Sequence, residues 1–138
     1  MNKYLAAYAG TAVVMVLLDL LWLGVIAKPL YQQGIGHLMA DKPDIAVAVL
    51  FYALYAAGIV IFAVTPLSGS SGGSGWGMTL GMGALFGFFA YATYDLTNLA
   101  TLRDWPLRLS LIDLAWGTFV SATSAAGGKV ALDWATRA

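Results

Sequence analysis

Tyr91, Tyr94, Asp95 and Asn98 place two phenols, a carboxyl and an amide at i, i+3, i+4 and i+7, so a helix sets all four on one face. They close a mostly apolar run. Polar groups at membrane depth usually face a protein interior, a cavity or the headgroup layer. Two more acids stand inside apolar runs: Asp19 in Leu18-Asp-Leu-Leu-Trp-Leu23, and Asp113 in Ile112-Asp-Leu-Ala-Trp-Gly117. Both stretches read Asp-Leu-x-Trp, an echo that an inverted repeat of helix pairs would produce. An ionised Asp near a helix centre costs on the order of 2.5–3.5 kcal/mol on insertion scales. Each acid therefore needs a partner, a proton or water. Lys3, Lys28, Arg103, Arg108 and Lys129 all fall at or beyond the ends of the apolar runs. Tyrosine, threonine and indole donors are the expected partners of Asp19. Asp113 has a plainer reading, as a tie near the start of its helix, where the macrodipole favours an acid.

Further candidates share helical stripes with these groups. Trp22 lies one turn from Asp19, and Trp116 one turn from Asp113. Tyr52 and Tyr55 form a third stripe, and Asp113, Gly117, Ser121 and Ser124 a fourth, whose small residues leave room for neighbours. The four faces together would build a shared polar site inside a helix bundle. Asn98 and Arg103 could contact a phosphate or sugar at headgroup depth. Helix capping and an ion pair from Arg103 to Asp95 or Asp104 is the blander alternative. His37, the single histidine, is a candidate base or ligand, but one imidazole makes a poor metal site. No metal and no cofactor is expected. The chain holds no cysteine, no Ser-His-Asp order, no glycine-rich phosphate loop and no HExxH motif.

These residues need elements to position them, and composition names the kind. Of 138 residues 60% are hydrophobic and 10% charged, with a mean hydropathy of +0.78. Soluble domains carry about 25% charged residues, so the chain reads as an integral membrane protein. Seven basic and seven acidic residues give no net charge and no patch for nucleic acid. Four spans are expected, at about 4–27, 45–64, 76–96 and 107–127, bounded in part by Pro43, Pro66 and Pro106. About twenty residues at 1.5 Å each cross a hydrocarbon core of about 30 Å. The expected fold class is all-α: one integral membrane four-helix bundle, running up-down-up-down. Lys3 and Val25-Ile26-Ala27 imitate a signal peptide, but the length of the run and Asp19 favour a retained signal anchor. The connection after the first span suggests a short interfacial helix. Residues 68–75 form a flexible Ser/Gly loop by composition. Four basic residues on one side against three on the other leave the orientation open. Gly77/Gly81 and Gly83/Gly87 are small-xxx-small pairs, suited to packing within the bundle or to a homo-oligomer.

Several blocks also resemble one family. They are Asp19-Leu-Leu-Trp-Leu-Gly24; Lys28-Pro-Leu-Tyr31 with Gly36-His37-Leu38; and Phe51-Tyr52 with Tyr55 and Gly58. The most specific is Phe89-Ala-Tyr-Ala-Thr-Tyr-Asp-Leu-Thr-Asn-Leu-Ala-Thr101 followed by Trp105-Pro106, and Asp113-Leu-Ala-Trp-Gly117 completes the set. In these blocks the chain resembles the DUF2177 family of small bacterial membrane proteins. The resemblance implies a multi-pass protein of the inner membrane and carries no catalytic residue over. Three functions are open at this stage. The first is binding or acting on a lipid or other amphiphile through a polar intramembrane site. The second is a small, dimeric, proton-coupled transporter or channel using Asp19. The third is an accessory subunit of a larger membrane complex.

Overall fold

Asn2 opens the first helix by accepting the Tyr4 N–H on its side-chain oxygen at 2.7 Å, which satisfies one of the N–H groups a helix start leaves free. A computed structural model describes residues 2–65 and 75–137. Helix α1 spans Lys3–Leu21 and continues into a wider π turn, Trp22–Ile26. Helix α2, Lys28–Ile35, carries Pro29 in its first turn, where the missing N–H costs nothing. A single 3₁₀ turn, Gly36–Leu38, follows it. Asp44 caps α3 by accepting the Val47 N–H at 3.2 Å. This helix covers Ile45–Ile59 and also ends in a π turn, Val60–Val64. Helices α4, Trp76–Thr101, and α5, Leu107–Arg137, complete the chain. Every element among the described residues is helical.

The last two helices outrun the expected spans. α4 was expected to end near residue 96 and reaches Thr101, because Thr97 and Thr101 turn their hydroxyls back onto the carbonyls of Thr93 and Thr97 instead of leaving the helix. α5 passes through Gly127 and Gly128 to Arg137. Those glycines end nothing; they let α1 approach. The Ser/Gly loop expected at 68–75 lies outside the described residues save for Gly75.

Hydropathy separates the helices into two kinds. Lys3–Ile26 and Ile45–Val64 are long and apolar enough to cross a membrane, with mean hydropathies of 2.2 and 2.5. α4 and α5 fall short of the same measure, so two helices pass it where four were expected. The reason is in their sequence: α5 carries Arg108, Asp113, Lys129, Asp133 and Arg137, and α4 is rich in glycine, threonine and tyrosine.

Helix α5 is the hub, packed against both α1 and α4. Gly10 meets Ala131, Val14 meets Gly127 and Trp22 meets Trp116, so α1 and α5 run antiparallel. Gly83 against Ala125 and Tyr91 against Gly117 give α4 the same relation to α5. Tyr55 against Ser121 and Val64 against Gly128 set α3 parallel to α5. The close approach depends on missing Cβ atoms: one on Gly87 would collide with the Gly117 carbonyl, and one on Gly117 with the Tyr91 ring. The main core gathers Met15, Ile59, Val64, Ala125 and Leu132, and a smaller one at the opposite end holds Ile35, Trp105 and Leu109. Trp105, beside the α4–α5 connection, is buried, with its N–H on the Ser110 hydroxyl at 2.9 Å.

Candidate functional site

The two Asp-Leu-x-Trp segments meet. Because α1 and α5 are antiparallel, each tryptophan, one turn past its own aspartate, is carried toward the aspartate of the other helix. Trp116 donates its indole N–H to Asp19 Oδ1 at 3.0 Å. Trp22 donates to the Tyr31 hydroxyl at 3.3 Å, and Tyr31 in turn donates to Asp113 Oδ1. Between the acids the two indoles stack, with centroids 4.3 Å apart and planes within 5°. Tyr52 supplies Asp19 Oδ2 with a second donor at 2.9 Å. Each carboxyl is thus reached by a tyrosine, and each tryptophan serves the opposite motif, directly or through Tyr31.

These groups wall a cavity of about 470 Å³. α1 contributes Asp19, Trp22 and Leu23; α2 contributes Tyr31; α5 contributes Asp113 and Trp116. The remaining walls are Phe51, Tyr52 and Tyr55 from α3, and Ala90, Tyr91 and Tyr94 from α4. Tyr55 shares a hydrogen bond of 2.7 Å with the Ser121 hydroxyl and meets the Tyr91 ring edge-on at 6.2 Å. Tyr91 lies over Gly117, whose bare backbone makes the space for its ring. Burial and the neighbouring Asp113 carboxyl push the Tyr31 phenol well above the usual tyrosine range, so it remains a donor.

The cavity is open on one side. No residue from 45 to 54 is buried, so the first half of α3 stands off from its neighbours. α3 meets α4 chiefly through its π turn and the Tyr55–Phe86 contact. Leu23, Phe51 and Tyr94, each about half exposed, form the rim of the mouth.

Eight of the twelve candidates read from sequence line this cavity: Asp19, Trp22, Tyr52, Tyr55, Tyr91, Tyr94, Asp113 and Trp116. Asp95 shares their helix face but lies behind the wall, fully buried beside Asp113. Asn98 sits one turn farther on, half-buried and in contact with Tyr94. His37 and Arg103 are exposed at the loop end, where His37 lies 3.7 Å from Asp104. The residue that sequence reasoning missed is Tyr31. A signal was present, since it stands in the apolar-and-tyrosine stripe of α2 with Ile35 one turn on, but its partner is 82 positions away.

Every wall of this site falls inside the range of one family match. The family described as predicted membrane protein (DUF2177) matches residues 4–130. The chain belongs to that family. Residues 4–130 take in every wall of the cavity, so in this DUF2177 member the whole site lies within the matched region. The chain matches no curated protein and no solved structure.

What the cavity can do follows from its walls. It offers rings, two carboxyls and no basic side chain among the described residues that line it. Among the described residues no group of acids and histidines is arranged to hold a metal ion. The arrangement suits binding of a molecule that is part apolar and part charged.

Proposed function

We propose that this DUF2177 protein crosses the bacterial inner membrane as an up-down-up-down bundle of α1, α3, α4 and α5 and binds a lipid or other amphiphile in the cleft between α3 and α4. The observation that carries the reading is the lateral opening: a polar floor of carboxyls and phenols reached through an apolar rim of Leu23, Phe51 and Tyr94. A cavity of about 470 Å³ falls within the range of small-molecule sites. It would take a head and the first part of a chain, while the rest of the chain lies along the exposed Val47, Leu50 and Leu54 of α3. The outward faces of α4 and α5 support their crossing as well. Leu85, Phe88 and Phe89 on α4 and Leu111 and Phe119 on α5 are exposed, while Thr79, Gly83 and Gly87 on α4 and Gly117, Ser121 and Ser124 on α5, which lower the mean hydropathy, are buried. Such an inside-out distribution fits lipid around the molecule.

A proton-coupled transporter would use the same Asp19. That reading is the weaker one, because Trp116 and Tyr52 already occupy both oxygens of the carboxyl. The test is mass spectrometry of protein purified in a mild detergent. Wild type is expected to retain an amphiphile, and Ala90→Trp, which fills the cavity from its α4 wall, to lose it while keeping its helix content and melting temperature. Retention of nothing by wild type, or equal retention by the filled variant, would overturn the proposal.

A further inference from the structure

Four donors of the cavity are spent on its own acids. The Trp116 N–H and the Tyr52 hydroxyl serve Asp19, and the Trp22 N–H and Tyr31 hydroxyl serve Asp113 in series. Tyr55 shares a hydrogen bond with Ser121 in which either hydroxyl can donate, and Tyr94 accepts from Asn98. A phosphate, sulfate or carboxylate head needs donors or cations and would find the Tyr91 and Tyr94 hydroxyls and no cation among the described lining residues. What the walls offer instead is negative potential: eight of the twelve lining residues are aromatic, and two of the other four are aspartates. Behind them Asp95 is fully buried against Asp113, and neither of its oxygens has a hydrogen-bond donor among the described residues. Ring faces around a carboxyl are the surroundings that recognise ammonium and quaternary ammonium groups.

We propose that the cleft selects amphiphiles whose head carries an ammonium group, which enters between the Tyr91 and Tyr94 rings toward Asp113. The proposal rests on the amphiphile reading above and narrows it to one class of head. That head has two natural sources: a simple cationic amphiphile, or a zwitterionic lipid in which a phosphate follows the ammonium. In the second case the phosphate would lie at the mouth, toward the loop end that holds Lys28 and Arg103.

The experiment titrates the full-length protein in dodecyl maltoside with three probes of equal chain length: dodecyltrimethylammonium, dodecylphosphocholine and dodecanoate. Binding is followed by the fluorescence of the cavity tryptophans and by native mass spectrometry. Both ammonium probes are expected to bind at least about tenfold more tightly than dodecanoate, a preference that Asp113→Asn removes. Tyr91→Leu, which takes away one ring and leaves both acids with their donors, is expected to weaken the ammonium probes and not dodecanoate. Tighter binding of dodecylphosphocholine than of dodecyltrimethylammonium would identify the zwitterionic source, and the reverse order the cationic one. Equal binding of all three probes would overturn the charge selection and leave the amphiphile cleft standing. If none binds, both fall. An undiminished preference in folded Asp113→Asn would remove Asp113 from the recognition and overturn the proposal.

Discussion

Asp19 and Asp113 depend on side chains from other helices, so substitutions at their donors should act on stability in a graded way. Trp116→Phe keeps a ring against Trp22 and deletes one donor to Asp19; it is expected to cost about 1.5–3 kcal/mol in reversible unfolding, as does loss of a hydrogen bond to a charged group. Tyr31→Phe deletes the Asp113 donor and the Trp22 acceptor together, and should cost at least as much. A change under about 0.5 kcal/mol in either variant would mean that the carboxyl finds another donor. Tyr31 also fixes a pH dependence. Its folded pKa is raised above the ordinary 10.0, so the folded state holds its proton longer than the unfolded chain does. Its contribution is complete below about pH 10 and is lost as pH rises above that value. Alkaline unfolding curves of wild type and Tyr31→Phe should therefore converge as pH rises past 10. At this scale the sequence revealed the acids and their tryptophans through the paired motif. It showed Tyr31 only as part of the α2 stripe, because the bond between positions 31 and 113 is set by tertiary geometry.

Among the elements, α4 holds two glycine pairs that look alike in sequence and differ in space. Gly83 and Gly87 press on α5, whereas Gly77 and Gly81 have open space where a Cβ would stand. Gly87→Ala and Gly117→Ala are expected to destabilise by about 1–3 kcal/mol through overpacking. Gly77→Ala and Gly81→Ala should be neutral or stabilising by up to about 1 kcal/mol from helix propensity. Thermal melts of the four single variants check the contrast, and equal effects across both pairs would contradict the packing. The helices themselves were legible from their apolar runs and prolines, and the α5 stripe of Asp113, Gly117, Ser121 and Ser124 is buried along its length. The ends of α4 and α5 were not legible. Threonine and glycine normally weaken a helix, and here the hydroxyls bond back to the helix while the glycines admit a neighbour.

The whole molecule exposes apolar side chains on α1, α3, α4 and α5 and buries Asp19, Asp95 and Asp113 inside. Mean hydropathy ranks α4 and α5 lower because it averages in a buried face of glycine, serine, threonine and aspartate. Topology gives the test. Cysteines placed at Asn2 and Arg137 should react with an impermeant thiol reagent from one side of the membrane, and cysteines at Lys42 and Arg103 from the other. Labelling of positions 103 and 137 from the same side would show that α5 does not cross. The Asp19–Trp116 bond has a consequence for biogenesis. The donor lies 97 residues downstream of the acid, and the other donor, Tyr52, lies 33 downstream. As synthesis proceeds, the first helix enters the bilayer with an acid that has neither, a state costing on the order of 2.5–3.5 kcal/mol. Tyr52 arrives next, and the last helix completes the set. The nascent first helix therefore has reason to linger at the insertion machinery until its partners emerge. A chain halted before α5 should be the form that quality control removes.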